Sequence, residues 1–169
     1  MNNAQHINQD SGDTEYYTPP AIIEAAREVM GWFDLDPASS EAANRVVKAR
    51  SIFTAVDDGL KQRWHGKVWM NHPFSRRYNA AWIRKLIDSH LCGQVKEACC
   101  ITYAATSERW FEPLLLHPQC FLLPRTNYLL PDGSIKRGVT KGSVVTYVGR
   151  DVQKFTEVFS RLGVVKVVV

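Results

Sequence analysis

The chain has 169 residues, 45% of them hydrophobic and 22% charged, with a formal net charge of +4. That length and balance predict one ordinary globular domain, large enough for a real core. No apolar run reaches the length of a membrane span, and the polar stretch 1–13 lacks the hydrophobic centre of a signal peptide, which predicts a cytoplasmic protein. The positive balance is compatible with a polyanionic partner without demanding one. Cys92, Cys99, Cys100 and Cys120 have no metal-ligand spacing, so they are expected to be buried reduced thiols and no metal site is expected.

In chain order, residues 1–13 are rich in Asn, Gln, Asp and Gly and are expected to form a disordered tail, with 14–169 as the single domain. Ile22, Ile23, Ala26 and Met30 recur on one helical face. Thr18 is the expected N-cap of that helix, with Pro19 and Pro20 in its first turn and Gly31 as its stop. Residues 32–36 read as an apolar strand with acids at its carboxyl end. A small-residue turn, Pro37-Ala38-Ser39, then leads into a helix over 41–49. Residues 50–54 are a possible second strand, and Asp57-Asp58-Gly59 is a turn signal. Val68-Trp69-Met70 reads as a short buried strand ending at the polar Asn71.

Beyond Phe74, the run Ser75-Arg76-Arg77-Tyr78 is expected to open a helix, in which Ala81, Trp82, Lys85, Leu86 and Ser89 share a side and Cys92-Gly93 forms the stop. Residues 97–105 and 120–123 read as strands, with a helix beginning over 107–111 between them. A strand over 143–149, an amphipathic helix over 153–162 and a closing strand over 164–169 follow. Strands alternating with helices predict βαβ units and a mostly parallel sheet flanked by helices. The loop 131–142 is punctuated by Gly133, Gly138 and Gly142 and carries Lys136, Arg137 and Lys141. It is either a nucleic-acid contact or a solvated hairpin.

The chemistry centres on Asn71-His72-Pro73-Phe74. In open α/β sheets reactive groups gather at the carboxyl ends of strands. A carboxamide oxygen placed there can accept a hydrogen bond from an exocyclic amino group, and a Phe face can stack on the base that carries it. Arg76, Arg77 and Tyr78, just beyond, either contact phosphates or form a solvated first turn.

This tetrapeptide resembles the Asn-Pro-Pro-Tyr/Phe signature of amino methyltransferases, with His72 in the place of a proline. The ordered set around it is similar to the phage-encoded DNA N6-adenine methyltransferase family. That set comprises the Thr-Pro helix, Leu35-Asp36-Pro37-Ala38-Ser39, Asp57-Asp58-Gly59-Leu60, Trp64, the tetrapeptide, Arg109-Trp110-Phe111 and Arg125. The resemblance runs from about Thr14 to the C-terminus and implies a Rossmann-like α/β sandwich that uses S-adenosylmethionine to methylate adenine N6 in DNA. It assigns the target amine to Asn71, the His72 carbonyl, Pro73 and Phe74. The cofactor falls to Thr18, Pro19, Asp36, Pro37, Ala38 and Asp58, with Asp36 near the methionine amino group and Asp58 near the adenine. Arg76, Arg77, Tyr78, Arg125, Lys136, Arg137 and Lys141 would contact DNA, either a duplex with a flipped adenine or a single strand. A phage or prophage protein would act in the bacterial host cytoplasm. A cytosine N4 methyltransferase and a catalytically silent nucleic-acid binder with the same fold are the alternatives. The acid that would read the cofactor ribose has no candidate in the sequence.

Overall fold

The computed structural model describes residues 16–168. The tail expected over 1–13 lies outside the described residues. The described chain runs α1 (Pro20–Met30), β1 (Leu35–Asp36), α2 (Glu41–Val47), β2 (Ser51–Ile52), β3 (Gly66–Met70), α3 (Asn79–Leu91), β4 (Val95–Tyr103), a 3-10 helix (Glu112–Leu116), β5 (Gln119–Leu122), β6 (Ser143–Val148), α4 (Val152–Phe159) and β7 (Gly163–Lys166). Side chains alternate across the strands as the pleat requires. Trp69, Cys99, Ile101, Val145 and Tyr147 pack under α1, α2 and α4. Val68, Met70, Ala98, Cys100, Val144 and Val148 pack under α3 and the 3-10 helix. The result is a three-layer α/β sandwich with a core on each face of the sheet.

The seven strands form one sheet in the order β2-β1-β3-β4-β6-β5-β7. It is mixed, which corrects the expectation of a mostly parallel sheet. The pairs β1·β2, β1·β3 and β3·β4 are parallel, whereas β4·β6, β5·β6 and β5·β7 are antiparallel. The cause lies between β5 and β6: residues 123–142 contain no crossover helix, so β6 returns antiparallel into the place between β4 and β5. The β2-β1-β3-β4 half of the sheet keeps its strands parallel, and that half carries the site.

Four local expectations are corrected. Thr18 does not cap α1; the cap position is Pro19, no side chain bonds the first turn, and the Thr18 hydroxyl is buried without a partner. Pro20 instead presets the first helical φ and lacks the N–H that a cap would satisfy. No α-helix starts at 107–111. Pro113 has no N–H to offer the Arg109 carbonyl, and the segment settles into turns and the short 3-10 helix. The helix expected from Ser75 begins only at Asn79; the residues before it form a turn in which Ser75 O accepts Tyr78 N and Asn79 N, and Ala81 is exposed rather than buried. Finally, Cys99, Cys100 and Cys120 are buried, but Cys92 at the end of α3 is exposed.

Candidate active site

Strand β1 leads through α2 to β2 on one side, and the chain then returns to β3 on the other side of β1. The carboxyl ends of β1 and β3 therefore flank the point where strand order reverses, the usual place for a ligand crevice in such sheets. A cavity of about 390 Å³ lies there, within the range of small-molecule sites. Asp36 and the Pro37-Ala38-Ser39 turn line it from β1, Asn71, His72, Pro73 and Phe74 from β3, and Thr18 from the lead-in to α1. Asp58 and Gly59 close a further wall. Of the residues expected around the cofactor only Pro19 does not line the cavity; it serves as the entry to α1.

The turn after β1 has no glycine, and the close approach to it comes from Gly59. A Cβ on Gly59 would sit 1.9 Å from the Pro37 carbonyl oxygen and 3.1 Å from Trp82, so any larger residue would push the 57–60 turn out of the cavity wall. Trp64 Nε1 donates to the Gly59 carbonyl at 2.8 Å and fixes the turn from behind. Asp58, in the left-handed region at φ 53°, pairs with Lys61 at 2.9 Å, and that partner holds its carboxyl below the usual range.

Asp36 is in the opposite situation. Its carboxyl is buried, accepts from Ala38 N at 3.2 Å, and has no ion-pair partner among the described residues. Burial pushes its pKa up to about 7, against the opposing pull of the turn's hydrogen bonds. No Lys or Arg lines the cavity, so among the described residues its fixed charges are carboxylates. Such a site suits a cationic ligand.

His72 is 1% exposed. Its Nε2 donates to Asn79 Oδ1 at 3.1 Å, since an amide oxygen can only accept, its ring stacks on Trp82, and its Nδ1 has no partner among the described residues. Burial depresses its pKa to about 4, with the Asn79 contact opposing, so the ring is neutral at physiological pH. The ring is thereby tied to α3 at both Asn79 and Trp82. Asn71 Nδ2 donates to the Tyr16 carbonyl at 2.6 Å. That bond fixes the carboxamide and leaves its Oδ1 without a donor among the described residues.

The two buried groups give opposite pH dependences of stability. For Asp36 the folded pKa is raised from 3.8 to about 7, so its contribution is full below pH 4 and is lost as pH rises through 7. That term is on the order of 4 kcal/mol. For His72 the folded pKa is lowered from 6.5 to about 4, so its contribution is full above pH 6.5 and is lost as pH falls towards 4. Thermal unfolding from pH 4 to 8 should show Asp36→Asn gaining stability relative to wild type as pH rises, by removing the first term. Parallel pH profiles would contradict this.

Phe74 stands at the edge of an aromatic cluster. Its ring is 4.5 Å from Tyr103 and 5.7 Å from the fully buried Tyr128, whose hydroxyl bonds Ser143. The loop after Tyr128 reaches this cluster: Lys141 Nζ lies 5.2 Å from the Tyr103 ring and Lys136 Nζ 5.3 Å from the Tyr16 ring. Tyr78 lines the cavity mouth with Arg77 over its ring at 5.2 Å, and Arg76 is exposed beside it. Arg125 and Arg137 are exposed and do not line the cavity.

Sequence reasoning missed Tyr16, Tyr17, Ser40, Tyr103 and Tyr128. Tyr17 pairs with Leu129 through backbone bonds, and its hydroxyl lies 3.0 Å from Ser40 Oγ, tying the Thr18 approach to the head of α2. These are long-range contacts with no local signature. Just beyond β2 the lining residues are Thr54 and Ala55, neither of them an acid that could read a ribose.

A model of the family described as DNA N-6-adenine-methyltransferase (Dam) matches residues 5–119. The chain belongs to the Dam family. No curated protein matches it. The Dam match covers both strands that build the cavity and every expected cofactor residue, and it ends before the basic loop 131–142. In a member of this family, the site at the switch point is the candidate centre for DNA adenine methylation.

Proposed function

We propose that this Dam-family protein transfers a methyl group from S-adenosylmethionine to N6 of adenine in DNA. The observation that carries the reading is the meeting of Asn71 and Asp36 in one cavity, an oriented carboxamide acceptor beside a buried acid. The cofactor fits the donor set. Its ammonium group would be met by Asp36, its adenine by Asp58, and its polar groups by the hydroxyl of Thr18, which is buried without a protein partner, and by that of Ser39 beside the Asp36 carboxyl. When bound, the cofactor supplies an electrophilic methyl group on a sulfonium.

The residues of the chain do the rest. Adenine N6 is a poor nucleophile because its lone pair is conjugated into the ring. Asn71 Oδ1 and the His72 carbonyl accept its two N–H bonds and favour the pyramidal form that can attack. Phe74 stacks on the extruded base. This is catalysis by positioning and electrostatics. The buried thiols take no part.

DNA would reach the cavity across the face bearing Arg76, Arg77 and Tyr78 and the 131–142 loop. Lys136, Arg137 and Lys141 would meet phosphates, so replacing all three by Ala should weaken binding to many sequences alike. The salt dependence should flatten by up to about three units of slope, with cofactor affinity unchanged. Wild-type affinity and slope in a fluorescence-anisotropy titration would make the loop a solvated hairpin. The reading as a whole is tested by incubating the protein with duplex and single-stranded DNA and cofactor labelled in its methyl group. Label in DNA supports it; cofactor binding without label in either substrate points to a silent binder.

A further inference from the structure

We propose that Asn79 is a positioning residue for the tetrapeptide: through its bond to His72 it holds Asn71-His72-Pro73-Phe74 in register with α3, the task a second proline performs in the signature this segment resembles. The inference rests on the functional reading above. Between β3 and α3 the chain has no regular structure until Asn79. Pro73 fixes its own φ and restricts the residue before it, but it cannot fix the residue-72 φ as a proline at that position would. Residue 72 is where rigidity is needed, because its carbonyl is the second acceptor for the target amine.

The imidazole supplies it from the side. His72 reaches Asn79 Oδ1 at 3.1 Å and stacks on Trp82 with ring centroids 6.1 Å apart and planes 28° apart, so it grips α3 at two points about one turn apart. Its edge meets Phe74 at 5.7 Å and 89°, which passes the same constraint to the stacking ring. Asn79 is itself buried and its backbone N donates to Ser75 O at 2.9 Å, so the partner is held before it holds His72. A displacement of about 1 Å at reacting groups can cost on the order of 100-fold in rate.

The test is a double-mutant cycle with His72→Pro. Asn79→Ala should lower kcat by about 10-fold or more, while S-adenosylmethionine affinity measured by calorimetry stays within about twofold. In the His72→Pro background the same change should alter kcat by less than about twofold, because the bond it removes no longer exists. Asn79→Asp, which keeps the acceptor, should recover most of the loss. Equal losses in both backgrounds would assign Asn79 a purely structural role and overturn the proposal. Amide hydrogen exchange over 71–75 reads the same pin without catalysis: it should quicken in Asn79→Ala but not on adding that change to His72→Pro. If the wild-type protein transfers no methyl group, the functional reading fails while exchange still decides the pin, and unchanged exchange in Asn79→Ala would overturn it.

Discussion

Replacing Asn71 by Ala is expected to lower methyl transfer by about 100-fold or more, the typical cost of removing one oriented group that stabilises a transition state. The carboxamide oxygen contributes little when the substrate amine is planar and more as the nitrogen pyramidalises, so the loss should fall on kcat rather than on DNA affinity. Asn71 has a second duty in the structure, donating to the Tyr16 carbonyl at the cavity wall. Losing that one hydrogen bond costs about 1 kcal/mol of local stability, so the fold should survive. Single-turnover transfer with preformed complex separates the effects: a full-rate chemical step in Asn71→Ala would remove this residue from the centre of the mechanism.

The second large effect is expected at Asp36. Asp36→Asn keeps the shape and an acceptor for Ala38 N but removes the cavity's buried charge. A charge-assisted bond is worth about 1.5 to 3 kcal/mol, so cofactor affinity should fall by about 10- to 100-fold. The wild-type affinity should also weaken as pH falls below about 7, because the carboxyl then holds its proton and cannot pair with a cation. The variant should lose that pH dependence. Asp58, partly exposed and already paired with Lys61, should matter less. Calorimetry from pH 6 to 8 checks all three statements, and equal affinities in Asp36→Asn and wild type would move the pocket elsewhere.

What could be read from the sequence follows the range of each interaction. The Asp36-Pro37-Ala38 turn, the Asn71 strand end and the α/β alternation are local patterns, and the structure brings both turns to one cavity. Thr18 lines the cavity but does not cap α1, and its environment is set by Tyr17 pairing with Leu129 far along the chain. The reversed direction of β6 was hidden because strand periodicity carries no direction; only the missing crossover helix between β5 and β6 encoded it. Burial of His72 was hidden for a similar reason. A histidine after a strand end reads as polar, and its partners Asn79 and Trp82 become neighbours only once α3 folds back. Gly59 looked like part of a turn, and its close approach to Pro37 depends on two segments meeting.

The most direct measurement is the identity of the modified nucleoside. DNA incubated with the protein and S-adenosylmethionine, digested to nucleosides and resolved by mass spectrometry, should contain N6-methyladenine, and DNA treated with Asn71→Ala should contain about 100-fold less or lower. N4-methylcytosine in its place, or no methylated nucleoside from a protein that binds the cofactor, would contradict the account.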